Sequence, residues 1–213
     1  MSFPTALSGP AAAVSAAAAG TGPAAARTVS ADEFKTLMSG FPAGVTVVTV
    51  AAADGLLYGM TCTAVSSVSA DPPTLLVCIQ RSSRTLAALT GTRSFALNLL
   101  DEQAKHVAEL FATRRPDCFE QVPWSAHPGS GGPHLDRDAH TIADCRVAGS
   151  VEIADHVVVF GEVYSVTAAA SLPRRPLVYG MHEYWSLDRP GCARVTRVAA
   201  RGPASHTDTE RPR

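Results

Sequence analysis

Tyr58-Gly59-Met60-Thr61-Cys62-Thr63-Ala64-Val65-Ser66-Ser67-Val68-Ser69-Ala70-Asp71-Pro72-Pro73 is the stretch on which the reading of this chain turns. β-Branched and hydroxyl-bearing residues fill it, which predicts one extended strand over 57–68, closed by a turn at Asp71-Pro72-Pro73 where proline removes a ladder donor. Small side chains leave its backbone amides accessible to a polar, planar ligand. Ordinary sheets also carry Ser and Thr on their wet face, so taken alone the run signals a strand more firmly than a site.

Reading outward, the runs 45–50 and 74–79 are also rich in Val, Thr, Leu and Ile and are bounded by Asp54-Gly55 and by the proline turn, which makes them neighbouring strands. Residues 82–89 read as a helix ending at Gly91, 95–100 as a strand, and 101–113 as a helix capped by Asp101. A loop over 114–144 follows, with four prolines and Gly129-Ser130-Gly131-Gly132, and its length predicts an excursion over the surface that shapes a site. Strands resume at 145–153, 156–167 and 176–187. Upstream, Ser30-Ala31-Asp32-Glu33 is a capping box. Phe34, Leu37 and Met38 share one face of the short helix it opens, Gly40 stands where a left-handed cap would, and the helix is expected to lie against a sheet. Six or seven strands, few helices and no regular strand-helix alternation indicate a mainly β, antiparallel barrel.

The bulk numbers limit what such a chain does. Its 213 residues, 46% hydrophobic and 17% charged, suffice for one core but are short for two. A net charge of −1 provides no positive field for a nucleic acid. Residues 1–29, mostly Ala, Ser, Gly, Thr and Pro, have too little to bury and read as a disordered extension rather than a secretory signal. Residues 189–213, with six arginines and three prolines, read as a basic flexible tail, leaving 30–188 as the folded domain. No run is long and apolar enough for a membrane span, and a soluble cytoplasmic protein is expected. The five cysteines are odd in number and widely spaced, without a C-x-x-C pair; they read as reduced thiols, Cys62 and Cys78 acting as small hydrophobes.

The usual signatures for dinucleotides, nucleoside triphosphates, esterases and zinc proteases are all missing. His127, His134 and His140 share the long loop, but no thiolate or carboxylate constellation accompanies them in the sequence, and no metal site is expected. What remains is the hydroxyl-rich strand and the segment Gln80-Arg81-Ser82-Ser83-Arg84-Thr85, whose serines and arginine at a helix start suit a phosphate.

Four segments occur in the order found in the short-chain flavin reductases of two-component monooxygenases, which this chain resembles over roughly 34–187. They are Phe41-Pro42-Ala43-Gly44-Val45, the run 59–73 quoted above, Ser94-Phe95-Ala96-Leu97-Asn98-Leu99-Leu100, and Ala154-Asp155-His156-Val157-Val158-Val159-Phe160-Gly161-Glu162-Val163. The resemblance implies a split β-barrel of Greek-key topology, a homodimer with flavin sites near the subunit interface, and reduction of FMN or FAD by NADH or NADPH. The reduced flavin would then diffuse to a partner monooxygenase or halogenase. It further implies that the flavin ring lies along Thr61, Cys62, Thr63 and Ala64 with Gln80 at its pyrimidine edge. Ser66, Ser67, Ser83, Arg84 and Thr85 would hold phosphate, and Asp155 and His156 the nicotinamide nucleotide. Thr63 and His156 are the expected catalytic pair. Family members carry Gly where this chain has Ala154, a departure that bears on the turn. Glu183 likewise replaces a basic residue in the closing strand, where Tyr179, Tyr184 and Trp185 either pack or touch a cofactor. Two other readings are a pyridoxamine phosphate oxidase-like FMN oxidase, which shares the split barrel but against which Asp155-His156 and the Ser-rich strand argue, and a flavin or haem binding module without turnover.

Overall fold

A computed structural model of the chain describes residues 28–168, 175–187 and 195–197. Most of the expected Ala-rich extension and of the basic tail therefore lies outside the described residues. The elements in chain order are α1 (Ala31–Ser39), β1 (Ala43–Gly44), β2 (Thr46–Ala51), β3 (Leu57–Cys62), β4 (Val65–Ala70), β5 (Pro73–Gln80), α2 (Arg84–Thr92), β6 (Ser94–Leu100), α3 (Lys105–Ala112), β7 (Ala139–Ile153), β8 (His156–Ala168), β9 (Leu177–Gly180), β10 (Glu183–Leu187) and β11 (Val195–Arg197). Among the described residues no helix is long and apolar enough to cross a membrane.

The 57–68 run is two strands, not one. β3 and β4 stand at opposite edges of a seven-stranded antiparallel sheet, in the order β3-β2-β6-β7-β8-β5-β4, yet only Thr63 and Ala64 separate them. Six gaps of about 4.8 Å would hold the edges of a flat sheet about 29 Å apart. The chain from Cys62 to Val65 reaches only about 11 Å. The sheet must therefore coil until its edges meet, which makes the split barrel expected from the resemblance. The Cys78 N–H donates to the Ala64 carbonyl at 3.0 Å, tying the seam to β5.

Alternate residues fill the barrel, as period-two strands require: Val48, Val50, Cys62, Val77, Ile79, Phe95, Leu97, Cys145 and Val159 form one buried cluster with Leu86 and Leu89 of α2. A second cluster lies outside it. There Val45, Val47 and Leu100 pack with Val107, Ala108 and Phe111 of α3, with Cys118, Val122 and Leu135, and with Leu177 of the small sheet β1-β9-β10-β11.

Several sequence expectations change in detail. The closing segment 176–187 is a hairpin, β9 and β10, turning at Met181 and His182, both with positive φ. Val195–Arg197 of the expected tail pairs with β10. Asp101 caps no helix: its carbonyl accepts from the Ala104 N–H and its carboxylate from the Gln103 N–H, in a turn that precedes α3. Gly40 is right-handed (φ −78°). Gly91 lies inside α2, and Arg93 takes the left-handed position with φ 59°. The capping box at Ser30 and Glu33 forms as expected, but α1 buries nothing; Phe34 and Leu37 remain 56% and 69% exposed.

The largest difference is the glycine-rich loop. The sequence reading sends 114–144 over the surface, whereas Gly131, Gly132, Pro133, His134 and Leu135 are all buried and β7 already begins at Ala139. A Cβ on Gly131 would come within 2.2 Å of the Phe95 carbonyl oxygen, and one on Gly132 within 2.2 Å of that of Thr49. The missing side chains let the loop lie flat on β2 and β6. Asn98 fastens it: its amide nitrogen lies 3.0 Å from the Thr49 hydroxyl and 3.2 Å from the Val47 carbonyl, while its oxygen accepts from the Leu135 N–H at 2.9 Å. Thr49 in turn donates to the Pro133 carbonyl at 2.6 Å.

Candidate active site

The seam is where the chain leaves one sheet edge for the other, and edge strands present N–H and C=O groups that no ladder uses. Two clefts flank it.

The first, about 200 Å³, lies between β3 and the start of α2 and is lined by Tyr58, Gly59, Met60, Gln80, Ser83, Arg84, Thr85, Arg114 and Phe119, among others. β5 delivers Gln80 at its end, opposite His156 at the start of β8, so the strand register brings two residues 76 positions apart in sequence into one pair. Ser83 precedes the first turn of α2, yet no side chain caps that turn. The Ser83 hydroxyl meets only the Met60 sulfur, at 3.4 Å. Helix-start N–H groups without intrahelical partners, a hydroxyl and the Arg84 guanidinium form a donor set that fits a phosphate. Thr85 lines the cleft although it is 4% exposed.

Arg114 is a residue the sequence reading missed. Its guanidinium donates to the Gln80 side-chain oxygen at 2.6 Å, and its carbonyl accepts from Arg84 at 2.7 Å. It also holds φ at 60°, a conformation that costs a non-glycine residue about 1 kcal/mol or more. Two arginines directly before Pro116 were the available signal. Their nearness to Gln80 and Arg84 became visible only once α3 was packed.

The second cleft, about 560 Å³, is lined by Thr61, Thr63, Lys105, Glu109, Tyr179, His182, Glu183 and Tyr184, with Val45 and Ala112. Successive residues of a strand face opposite ways, and so Thr61 looks toward α3, its hydroxyl donating to the Ala108 carbonyl at 2.6 Å. Cys62 turns inward and is 5% exposed. Burial pushes its thiol up to about 11, so its side chain acts as a small hydrophobe. Cys145 behaves alike, pushed up to about 12. The four described cysteines are free thiols. Tyr179 and Tyr184 meet edge to face at 5.1 Å, with the Lys105 ammonium 5.6 Å from the Tyr184 ring. Burial, then Glu109 and Tyr179, push the Tyr184 phenol up, which keeps it a hydrogen-bond donor. Trp185 reaches neither cleft; its indole N–H donates to the Gly180 carbonyl at 2.9 Å.

Asp155 and His156 sit at the tight turn joining β7 to β8. The Asp155 carboxylate and His156 Nδ1 lie 2.8 Å apart, a bond that holds the exposed carboxyl below its ordinary range. The Asp155 carbonyl accepts from the Arg81 N–H at 2.9 Å, docking the turn beside Gln80. Ala154 holds φ at 51° in this turn, a left-handed conformation that strains any residue with a side chain. Ser66 and Ser67 lie apart from both clefts' linings, exposed on the β4 edge, with Ala64 exposed at the seam itself. The structure thus gathers Gln80, Ser83, Arg84, Thr85, Asp155 and His156 around one side of the seam, and Thr61 and Thr63 on the other.

Residues 38–188 match the family described as the flavin reductase like domain. The chain belongs to this family. As a member of it, the protein is an oxidoreductase of the flavin reductase type. A flavin reductase (NADPH) of Lentzea aerocolonigenes is 45% identical over 156 residues, which cover 73% of this chain and 89% of that one. Among solved structures, the NADH:FAD oxidoreductase SgcE6 of Streptomyces globisporus C-1027, in complex with NAD and FAD fragments, superposes with a TM-score of 0.69 at 28% identity, covering 78% of this chain and 99% of its own. BorF, the flavin reductase component of a bacterial two-component tryptophan halogenase, gives 0.67 at 28% identity over 75% of this chain and all of its own. These likenesses place the protein with the flavin reductases rather than with the pyridoxamine phosphate oxidase-like or non-catalytic readings.

Proposed function

We propose that this flavin reductase binds FMN or FAD across the seam at Thr63 and Ala64, reduces it with NADH or NADPH, and releases it to a separate flavin-dependent monooxygenase or halogenase. The observation that carries the reading is the pairing of an uncapped helix start, Ser83 and Arg84, with the free strand edges at the seam. A bound flavin would supply the acceptor for the hydride of the reduced nicotinamide, so the protein need supply no acid or base for that step.

The chain's own work is then to hold two rings together. Arg84, Ser83 and the first N–H groups of α2 anchor the flavin phosphate. Gln80, its oxygen oriented by Arg114, meets the pyrimidine edge. Backbone amides along 61–64 and the Thr63 hydroxyl orient the reacting side of the ring, and Ser66 and Ser67 add hydroxyls along the β4 edge. His156, with Nδ1 engaged by Asp155, keeps Nε2 turned outward for the dinucleotide. Proximity of the two cofactors supplies most of the acceleration.

The working unit is a homodimer. Exposed Phe34, Leu37, Met38 and Phe41, and an apolar groove lined by Pro42, Val178, Trp185 and Leu187, are the kind of exposed apolar surface that marks a protein–protein contact. Sedimentation of the purified protein should report two chains.

The deciding assay follows NADH and NADPH oxidation with each flavin in turn. Turnover is expected only when a flavin is supplied, and no rate above the cofactor-only background with either would overturn the reading. Release of the product is tested with the reductase and a flavin-dependent monooxygenase on opposite sides of a dialysis membrane at low oxygen. Product should still form; if it needs a shared compartment, although reduced flavin crosses, transfer requires direct contact.

A further inference from the structure

We propose that His127, His134 and Asp136 bind a divalent transition metal of the zinc class. None of the three lines either cleft. The sequence shows no ligand pattern around these histidines, but the fold brings two carboxylates to them.

His134 is the fixed point. Its side chain is 2% exposed, and its Nε2 lies 2.9 Å from Oδ1 of Asp144, itself buried at 5%. The same oxygen accepts from the Gly131 N–H at 2.8 Å. A carboxylate can only accept here, so Nε2 carries the proton and Nδ1 bears the lone pair. Nδ1 is fully buried and has no hydrogen-bond partner among the described residues. Buried polar atoms without partners are rare and call for an explanation.

That nitrogen is the one left for a ligand. One nitrogen of each histidine and a carboxylate oxygen of Asp136 lie within 4.8 Å of one another. The two rings stand 4.7 Å apart, centroid to centroid, and His127 Nε2 lies 3.5 Å from Asp136 Oδ2. Behind them, the Asp144–His134 pair is the carboxylate–histidine arrangement that fixes tautomer and ring orientation in metal sites. Ligand atoms on a tetrahedral zinc stand about 3.3 Å apart. Rotation of His127 and Asp136, both exposed, supplies the contraction while His134 stays still. Two imidazoles and one carboxylate select a borderline metal over calcium or magnesium, which take oxygen ligands. The fourth position is open to water or to the Ser125 hydroxyl, 2.9 Å from His127 Nε2.

A hydrolytic triad does not account for the group. There the acid holds one ring nitrogen and the serine the other, whereas Ser125 and Asp136 both approach Nε2 of His127 and hydrogen-bond each other. The three groups converge on a point instead of forming a relay.

The test uses the full chain, free of any affinity tag and stripped with a chelator. Titration with Zn²⁺ by calorimetry should give one ion per chain and a rise in Tm, and Co²⁺ should produce the visible bands of a tetrahedral site. His127→Ala and Asp136→Asn, which leave the buried Asn98 and Asp144 contacts untouched, should fold as wild type, keep flavin reductase turnover, and weaken metal affinity at least tenfold. Absence of binding with metal in excess over protein, or equal affinity in wild type and both variants, would overturn the site.

Discussion

Small polar side chains occur in two settings on this barrel, and they do opposite work. Under the glycine loop, Thr49 and Asn98 are fully buried and their polar atoms bond to carbonyls, an N–H and each other. At the seam, Ser66 and Ser67 are exposed, the Ser66 hydroxyl donating to the adjacent Ser67 carbonyl at 3.3 Å, and among the described residues the Ser83 hydroxyl meets only a thioether. In one setting hydrogen-bonding capacity is consumed by the fold. In the other much of it is spare. The contrast teaches that hydroxyl-rich sequence marks a site only where the chain itself fails to engage it.

Asn98→Ala should produce the largest effect. It leaves the buried Leu135 N–H without its acceptor and the Thr49 hydroxyl and Val47 carbonyl without the amide donor, a loss of about 3 kcal/mol, read as a fall in the denaturant midpoint. Reductase turnover per folded molecule should barely change. A stability change under about 1 kcal/mol would show that water replaces the amide, and the division between the two settings would fail.

Arg84→Ala is the reverse experiment. The side chain is exposed and, among the described residues, its hydrogen bond goes to the Arg114 carbonyl, so stability should hold within about 0.5 kcal/mol. The KM for flavin should rise about tenfold, equivalent to about 1.4 kcal/mol. Should stability fall and flavin KM stay put, Arg84 belongs with the structural set.

His156→Ala separates the two ligands. We expect several-fold higher KM for the nicotinamide nucleotide, with flavin affinity little changed; equal loss of both would make His156 a structural residue. Ala154→Gly is the smallest effect and the only gain. Relieving a φ of 51° should stabilise the fold by about 0.5 to 1 kcal/mol in thermal unfolding, because glycine adopts this region freely. No gain would mean that the backbone there is already relaxed.

The strands were legible from the sequence because β-branched runs and proline turns are local signals, and the Ser30 capping box for the same reason. The break at Thr63 was not, since the alternation of small and apolar residues runs unchanged through the point where the chain changes edges. Nor was the buried loop: Gly129-Ser130-Gly131-Gly132 looks like solvent-facing sequence until the Phe95 and Thr49 backbones lie against it. Ser83, Arg84 and Thr85 could be named from their helix start, whereas Gln80 came only with the family resemblance. Arg114 could not, because its nearness to Gln80 depends on how α3 packs. Only the paired register of β5 and β8 places His156 beside Gln80.

The two-residue link between β3 and β4 also orders events in time. Cys62 and Val65 are neighbours in the chain, but they occupy their final strands side by side only after β2, β6, β7, β8 and β5 have been laid down between those edges. Closure therefore waits for β2 to meet β6 and β5 to meet β8, pairings distant in sequence and so slow to form. On the proposed site, a nascent chain gains its flavin cradle only when the barrel is complete.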